Sequence, residues 1–125
     1  MALAKNLKNA LNMLPHLAEC AKNRTTITYS ELGEHIGVPA FFLGQSLDIL
    51  RDNLLPKHNL PRLDALVVNK NTKEAGEQFY EDGRGKMSDE DFKALLEVER
   101  EAVYAYPNWD KVVANLRSHY GANQL

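Results

Sequence analysis

The feature that most restricts the fold is a pair of short helical patterns joined through a glycine, between residues 28 and 51. Thr28 or Ser30 is placed to cap a first helix over Tyr29–Ile36, with Glu31 in its early turns. Gly37 follows directly, and glycine is the usual residue where a helix ends in the left-handed conformation. The sequence therefore predicts a short helix with defined limits at both ends.

A second helix is expected immediately after this corner. Pro39 precedes it, which suits the first turn of a helix because proline needs no hydrogen-bond partner there. The pattern runs over Ala40–Arg51 with an apolar stripe facing one side. Two helices joined by a few residues with a glycine at the corner form the helix-turn-helix pattern. The residues of the expected stripe are Leu43, Leu47 and Leu50.

Helices are also predicted on both sides of this unit. Apolar residues at three- and four-residue spacing predict an N-terminal helix over Ala2–Asn23, and Pro15 should kink it or split it near Leu14. Toward the C-terminus, Ser88 caps a helix that continues until Pro107 interrupts it. The last predicted helix begins at Trp109, runs to Tyr120 and ends at Gly121.

A β-hairpin is predicted after the helix-turn-helix. The run Leu63–Val68 resembles a strand, the polar residues 69–76 suit a turn, and Glu77–Tyr80 suits a return strand. Such a hairpin would be a wing. The fold class expected is α+β, mainly α: a winged helix-turn-helix flanked by an N-terminal helix and two C-terminal helices. We expect a single domain over 1–125, with a helix at 1–24, a winged core at 25–80, a linker at 81–87 and helices at 88–121.

Composition and charge limit the function. Hydrophobic residues make up 44% and charged residues 26%, close to the globular average, and no apolar run is long enough to span a membrane. No signal peptide is evident, so we expect a cytoplasmic protein. The formal net charge is -2, whereas a protein that holds duplex DNA mainly through its phosphates should be more basic. Residues 1–24 are the exception, with four basic groups against Glu19.

The helix-turn-helix segment carries a family resemblance. Ile27–Pro39, followed by Leu43–Leu47, resembles the winged-helix domain of the O6-alkylguanine DNA alkyltransferases and alkyltransferase-like proteins. The resemblance covers about residues 25–80. It implies a DNA-binding scaffold in which Tyr29 lies near the target phosphate and the helix after the corner enters a groove.

The departures from that family concern its chemistry. Its acceptor is a cysteine thiolate activated by histidine, but after Pro61 this chain reads Arg62, Leu63 and Asp64. At the position of the family's arginine finger stands Phe41, which suits an apolar wedge between bases. The alternative is that Phe41 or Phe42 packs on a neighbouring helix. Adjacent positions do not both face the core well, so we expect one of the two to be at least partly exposed.

No other chemistry is indicated. The four histidines are widely spaced, and the single Cys20 lies in an apolar helical pattern. The acidic residues 89–91 are explained by helix capping, and the acidic residues of 97–101 by a solvated helix face. We therefore expect no enzymatic activity, no cofactor and no metal.

Two functions from different classes remain open. In the first, the chain is a non-catalytic nucleic-acid-binding module, with DNA as its partner. In the second, it is a protein-interaction module that binds itself or a partner, a regulator of phage or defence-system origin being one form; its contact would use acidic helices and the aromatics Tyr104, Tyr106, Trp109 and Tyr120. The residues assigned to the nucleic-acid interface are Tyr29, Ser30, Phe41, Gln45, Ser46, Arg62, Lys70 and Lys73.

Overall fold

The computed structural model describes residues 2–68 and 88–124, which are mainly helical. No helix in these two ranges is both long enough and apolar enough to cross a membrane. Two strands of two residues each form a small sheet. The helices are α1 (Ala2–Asn23), α2 (Tyr29–Ile36), α3 (Leu43–Ile49), α4 (Leu55–Lys57), α5 (Asp89–Ala105) and α6 (Trp109–Gln124), and the strands are β1 (Ile27–Thr28) and β2 (Val67–Val68).

Helix α1 lies at the centre of the fold. It packs against α2, α3, α5, α6 and the turn at Leu63–Leu66, and its leucine face is almost completely buried. The predicted split at Pro15 is wrong, because α1 is one helix that includes the proline. A proline inside a helix costs about 3 kcal/mol. Burying a leucine side chain contributes about 1.5–3 kcal/mol, so the packing of Leu11, Leu14 and Leu17 exceeds that cost.

The predicted limits of α2 are confirmed. Thr28 Oγ1 accepts from the Glu31 backbone N–H at 3.1 Å, and a Glu31 carboxylate oxygen accepts from the Thr28 N–H at 3.1 Å, which is a complete capping box. Gly37 ends the helix with φ of 74°, in the left-handed region. The next residue, Val38, donates its N–H to the Gly33 carbonyl at 2.9 Å and turns the chain toward α3.

The second helix of the pair is longer and less regular than predicted. It opens with a 3₁₀ turn at Ala40–Phe42, continues as α3, passes through a π-helical turn at Leu50–Leu54 and ends in α4. The predicted core stripe is confirmed, since its members are at most 6% exposed. The helical run therefore goes beyond Arg51, the predicted end, and the buried Leu54 and Leu55 hold this extension against the core.

The strand predicted over Leu63–Val68 is mostly wrong. Leu63–Leu66 is a 3₁₀ turn, and only Val67–Val68 is a strand. This strand pairs in parallel with β1, placing Ile27 beside Val67. The β-branched pair Val67 and Val68 suits a strand better than the leucines and alanine before it. The turn at 69–76, the return strand and the linker at 81–87 lie outside the described residues, so the wing stays a prediction.

The two C-terminal helices form where the sequence predicts them. Ser88 Oγ accepts from the Asp91 N–H at 3.1 Å and caps α5. The last helix, α6, continues through Gly121 to Gln124, because a glycine inside a helix lowers its stability without ending it. Trp109 is 3% exposed and donates its indole N–H to the Val103 carbonyl at 2.8 Å, which links α6 to α5.

Candidate functional site

Two exposed phenylalanines mark the start of α3. Phe41 is 82% exposed and Phe42 is 58% exposed, while their rings lie 4.3 Å apart at 42° to each other. The 3₁₀ turn causes this, because it places both side chains ahead of the buried stripe that begins at Leu43. The expectation that at least one of them is exposed is confirmed, and neither packs into the core.

A cleft of about 570 Å³ lies beside these two rings. Its volume falls in the usual range of sites that hold small organic groups. One wall is the N-terminal part of α1, and the other is the corner between α2 and α3 together with the first turn of α3. We call it the aromatic cleft. Its polar lining residues are Lys5, Asn6, Asn9, Gln45 and Asp48.

Three side-chain amides lie in this cleft. Asn6 Nδ2 donates to Gln45 Oε1 at 2.8 Å in an exposed hydrogen bond that joins α1 to α3 at the cleft. Asn9 stands one helical turn after Asn6 on the same face of α1 and is only 9% exposed. The cleft therefore combines aromatic faces with groups that both donate and accept hydrogen bonds.

The two charged side chains of the cleft differ in whether another side chain already pairs with them. Lys5 is exposed, and within the described part of the chain it forms no ion pair. Asp48 is bound differently: its carboxylate lies 3.3 Å from an Arg51 guanidinium nitrogen, and the Arg51 side chain is 10% exposed. Lys5 is therefore the available positive charge, and the charge of Asp48 is only partly offset, because Arg51 also pairs with Asp52 at 2.7 Å.

Of the six assigned interface residues that lie in the described ranges, two come together. Phe41 and Gln45 both line the aromatic cleft. Tyr29 and Ser30 begin α2, whereas its other end reaches the cleft at Gly37, about 11 Å further along the helix axis. Tyr29 is half-buried and Ser30 is exposed.

Two other assigned residues have internal surroundings. Ser46 is 0% exposed, so its side chain does not reach solvent, and its Oγ has no partner among the described residues. Arg62 donates two hydrogen bonds of 3.0 and 2.9 Å to Asp64, and its side chain is 22% exposed. Lys70 and Lys73 lie outside the described residues.

The Arg62–Asp64 pair is a buried structural group. The Asp64 side chain is 5% exposed, and burial raises the pKa of this carboxyl although the Arg62 guanidinium opposes the shift. Beside it, Arg100 of α5 donates its Nε–H to the Ala65 carbonyl at 2.9 Å. Both arginines therefore fasten the turn before β2.

The single cysteine, Cys20, lies in surroundings that disfavour its reactive thiolate form. Cys20 is half-buried on α1, and burial raises the pKa of its thiol, with Glu31 and Glu19 acting in the same direction and a hydrogen bond to Thr25 opposing them. The thiolate is the reactive form, so this environment disfavours it. Across residues 2–68 and 88–124, no three histidine, cysteine or acidic side chains converge as a metal site would require.

Sequence reasoning missed the α1 wall of the cleft. The sequence analysis assigned no role to Lys5, Asn6 or Asn9, and nothing in their spacing shows which segment they face. One signal was present: Asn6, Asn9 and Asn12 recur every three residues in a helix, although asparagine is a poor helix former. Polar residues that lower the stability of the helix containing them are candidates for a role in binding.

Comparison of the chain with protein-family models, with curated proteins and with solved structures finds no match. Any function assigned to it therefore rests on its own residues.

Proposed function

We propose that the chain is a non-catalytic nucleic-acid-binding protein of the winged-helix type, with DNA as its ligand and the aromatic cleft as its contact surface. The observation that carries this proposal is the pair Phe41 and Phe42, both exposed at the first turn of the second helix of the helix-turn-helix unit. Leaving a phenylalanine in water forgoes about 1.5–3 kcal/mol of burial, so two such residues side by side favour a binding role.

Nucleic acid offers these rings a suitable surface. Apolar side chains inserted between base steps act as wedges, and aromatic rings stack on bases with about 1–3 kcal/mol per base. The amides of Asn6 and Gln45 lie next to the rings and supply the donors and acceptors that base edges require. Phe41 and Gln45, both assigned from the sequence, meet in this arrangement.

The charges of α1 support the same face. Of the four basic residues in 1–24, Lys22 of α1 pairs with Asp110 at 2.9 Å, and Arg24, just after the helix, pairs with Glu101. Lys5 and Lys8 are exposed and form no ion pair among the described residues, so they are available to phosphates. Two phosphate contacts give a weak salt dependence, with a slope of log affinity against log salt of about -1.4 to -1.8. This agrees with a nearly neutral chain.

The experiment is a fluorescence-anisotropy titration of labelled single-stranded and duplex DNA at low salt, repeated as salt is raised. We expect binding with the shallow slope given above. A Phe41→Ala variant should bind about tenfold more weakly, because it loses one stacking contact. Val98→Ala is the matched control, since Val98 is a large apolar residue on α5 that is 65% exposed. Absence of binding to either form at low salt would refute the proposal.

A protein-interaction module is the second candidate. The exposed phenylalanines and the net charge of -2 are also compatible with a protein partner. The C-terminal aromatics assigned to such a contact do not form an exposed surface: Trp109 is 3% exposed, and Tyr104, Tyr106 and Tyr120 are half-buried. This function predicts that the chain forms a dimer, or a complex with a partner, in analytical sedimentation. The Phe41→Ser, Phe42→Ser double variant should lose that association.

A further inference from the structure

Asn9 has an unusual environment for a polar side chain. It is 9% exposed, it lines the aromatic cleft, and its amide has no hydrogen-bond partner among the described residues. The amide nitrogen and oxygen of Asn9 are not among the polar atoms that are closed off from solvent without a partner, so they are accessible through the cleft. A ligand that enters the cleft can therefore hydrogen-bond to Asn9, and this residue points to an occupant with a hydrogen-bonding edge.

The neighbouring amides have hydrogen-bonding capacity to spare as well. The bond between Asn6 and Gln45 uses one donor of Asn6 and the carbonyl oxygen of Gln45. It leaves the Asn6 carbonyl oxygen as an acceptor and the Gln45 amide nitrogen as a donor. Asn9 adds one acceptor and two donors. A planar group with alternating donors and acceptors would match this set, and a purely apolar group would not.

The charged side chains of the aromatic cleft favour a base over a phosphate as its occupant. Asp48 lines the cleft, and a phosphate placed there would meet its carboxylate even though Arg51 lies beneath it. A neutral base meets no such repulsion. Lys5 is exposed at the rim, where it would attract the phosphate attached to an inserted nucleotide. The rings of Phe41 and Phe42 lie against the same opening and offer faces for stacking.

We propose that the aromatic cleft takes one unpaired base, stacked on the phenylalanines and held at its edge by the Asn9 amide. The inference rests on the proposed function and adds to it the structure of the ligand: bulged or single-stranded DNA rather than an intact duplex. Bases that are free of their partner strand expose the hydrogen-bonding edges that a duplex hides.

The test compares four labelled DNA probes by anisotropy: a duplex, the same duplex with one bulged thymidine, the same bulge made abasic, and the single strand. The bulged probe should bind about tenfold or more tightly than the duplex, and removal of the base should abolish that gain. Asn9→Ala should remove the difference between the bulged and abasic probes. Asn12→Ala is the matched control, an asparagine on the same helix that does not line the cleft, and thermal melts check that both variants fold.

Each outcome bears on a separate statement. Equal affinity for the bulged and abasic probes would overturn the inference, and so would an Asn9→Ala variant that retains the difference. Either result leaves nucleic-acid binding intact. Failure to bind any of the four probes at low salt would overturn both proposals and favour a protein partner for the exposed phenylalanines.

Discussion

Arg62 has a structural contact that the sequence does not reveal. A lone arginine after a proline, in a segment that resembles a DNA-binding family, suggests a phosphate contact. The partner that neutralises it stands only two positions later, and its burial is invisible in the sequence. With Asp64 at 5% and Arg62 at 22% side-chain exposure, the pair stabilises the turn before β2. The positive charge is thus used within the fold.

Replacing Arg62 tests this role. Arg62→Ala should lower the free energy of unfolding by about 3 kcal/mol, because it leaves a buried carboxylate without its partner. The Arg62→Ala, Asp64→Ala double variant should recover part of that loss. Urea denaturation measures both, and Lys111→Ala, which removes an exposed cation from α6, is the control. A stable Arg62→Ala variant with weakened DNA binding would instead restore the phosphate role.

At the scale of elements, the corner between α2 and α3 depends on two glycines for different reasons. Gly37 has φ of 74°, a conformation that costs residues with a side chain about 1–2 kcal/mol. Gly33 lies inside α2 with ordinary dihedral angles, but a Cβ there would stand 2.4 Å from the Val38 carbonyl oxygen. The first glycine is needed for the direction of the chain, and the second for the close approach of the turn.

Alanine substitutions separate these two effects. Gly37→Ala should cost about 1–2 kcal/mol through backbone strain alone, since nothing lies near its Cβ position. Helix propensity predicts that Gly33→Ala stabilises α2 by up to about 1 kcal/mol, whereas the contact with a backbone oxygen predicts a loss of about 1–3 kcal/mol. We expect the loss. Thermal denaturation gives the sign directly, and a raised Tm for Gly33→Ala would contradict the packing described for the corner.

At the scale of the whole molecule, three helices meet at a group of basic side chains. The His16 ring of α1 stacks on the His35 ring of α2, with centroids 4.6 Å apart and planes 17° apart. Burial lowers the pKa of His16, and His35 and Arg117 of α6 lower it further. Protonation of His16 would add a positive charge next to Arg117 and the His35 ring.

The pH dependence of stability follows from that shift. Because the pKa of His16 is lower in the folded chain than its ordinary value near 6.5, the unfolded chain binds a proton more readily. Stability should therefore be constant above about pH 6.5 and fall as the pH drops below it. His16→Gln should flatten this decline in urea melts between pH 7 and 5, and His119→Gln should not. An unchanged slope in His16→Gln would show that the stacked pair does not cause the decline.

Local signals predicted the ends of most helices, and longer-range contacts decided where prediction failed. The cap at Thr28, the glycine at Gly37 and the cap at Ser88 act within one turn of chain, so their effect is readable from neighbouring residues. Pro15 is a local signal for a break, and the core overrides it because the leucines on both sides are buried by other helices. The strand predicted over Leu63–Val68 was mostly wrong for a related reason. Only Val67 and Val68 pair with β1, which lies more than thirty residues earlier in the chain.

The features of the candidate site also separate into those that local sequence determines and those that tertiary contacts decide. The sequence alone determined that the chain has a helix-turn-helix corner and that Phe41 and Phe42 could not both enter the core, because these facts depend on spacing within one element. Tertiary structure decided that α1 packs at the centre, that Asn6, Asn9 and Gln45 line one cleft, and that Ser46 is buried while Arg62 pairs with Asp64. Those facts depend on which distant segments touch, and burial and charge pairing are properties of contacts that no single stretch of chain contains.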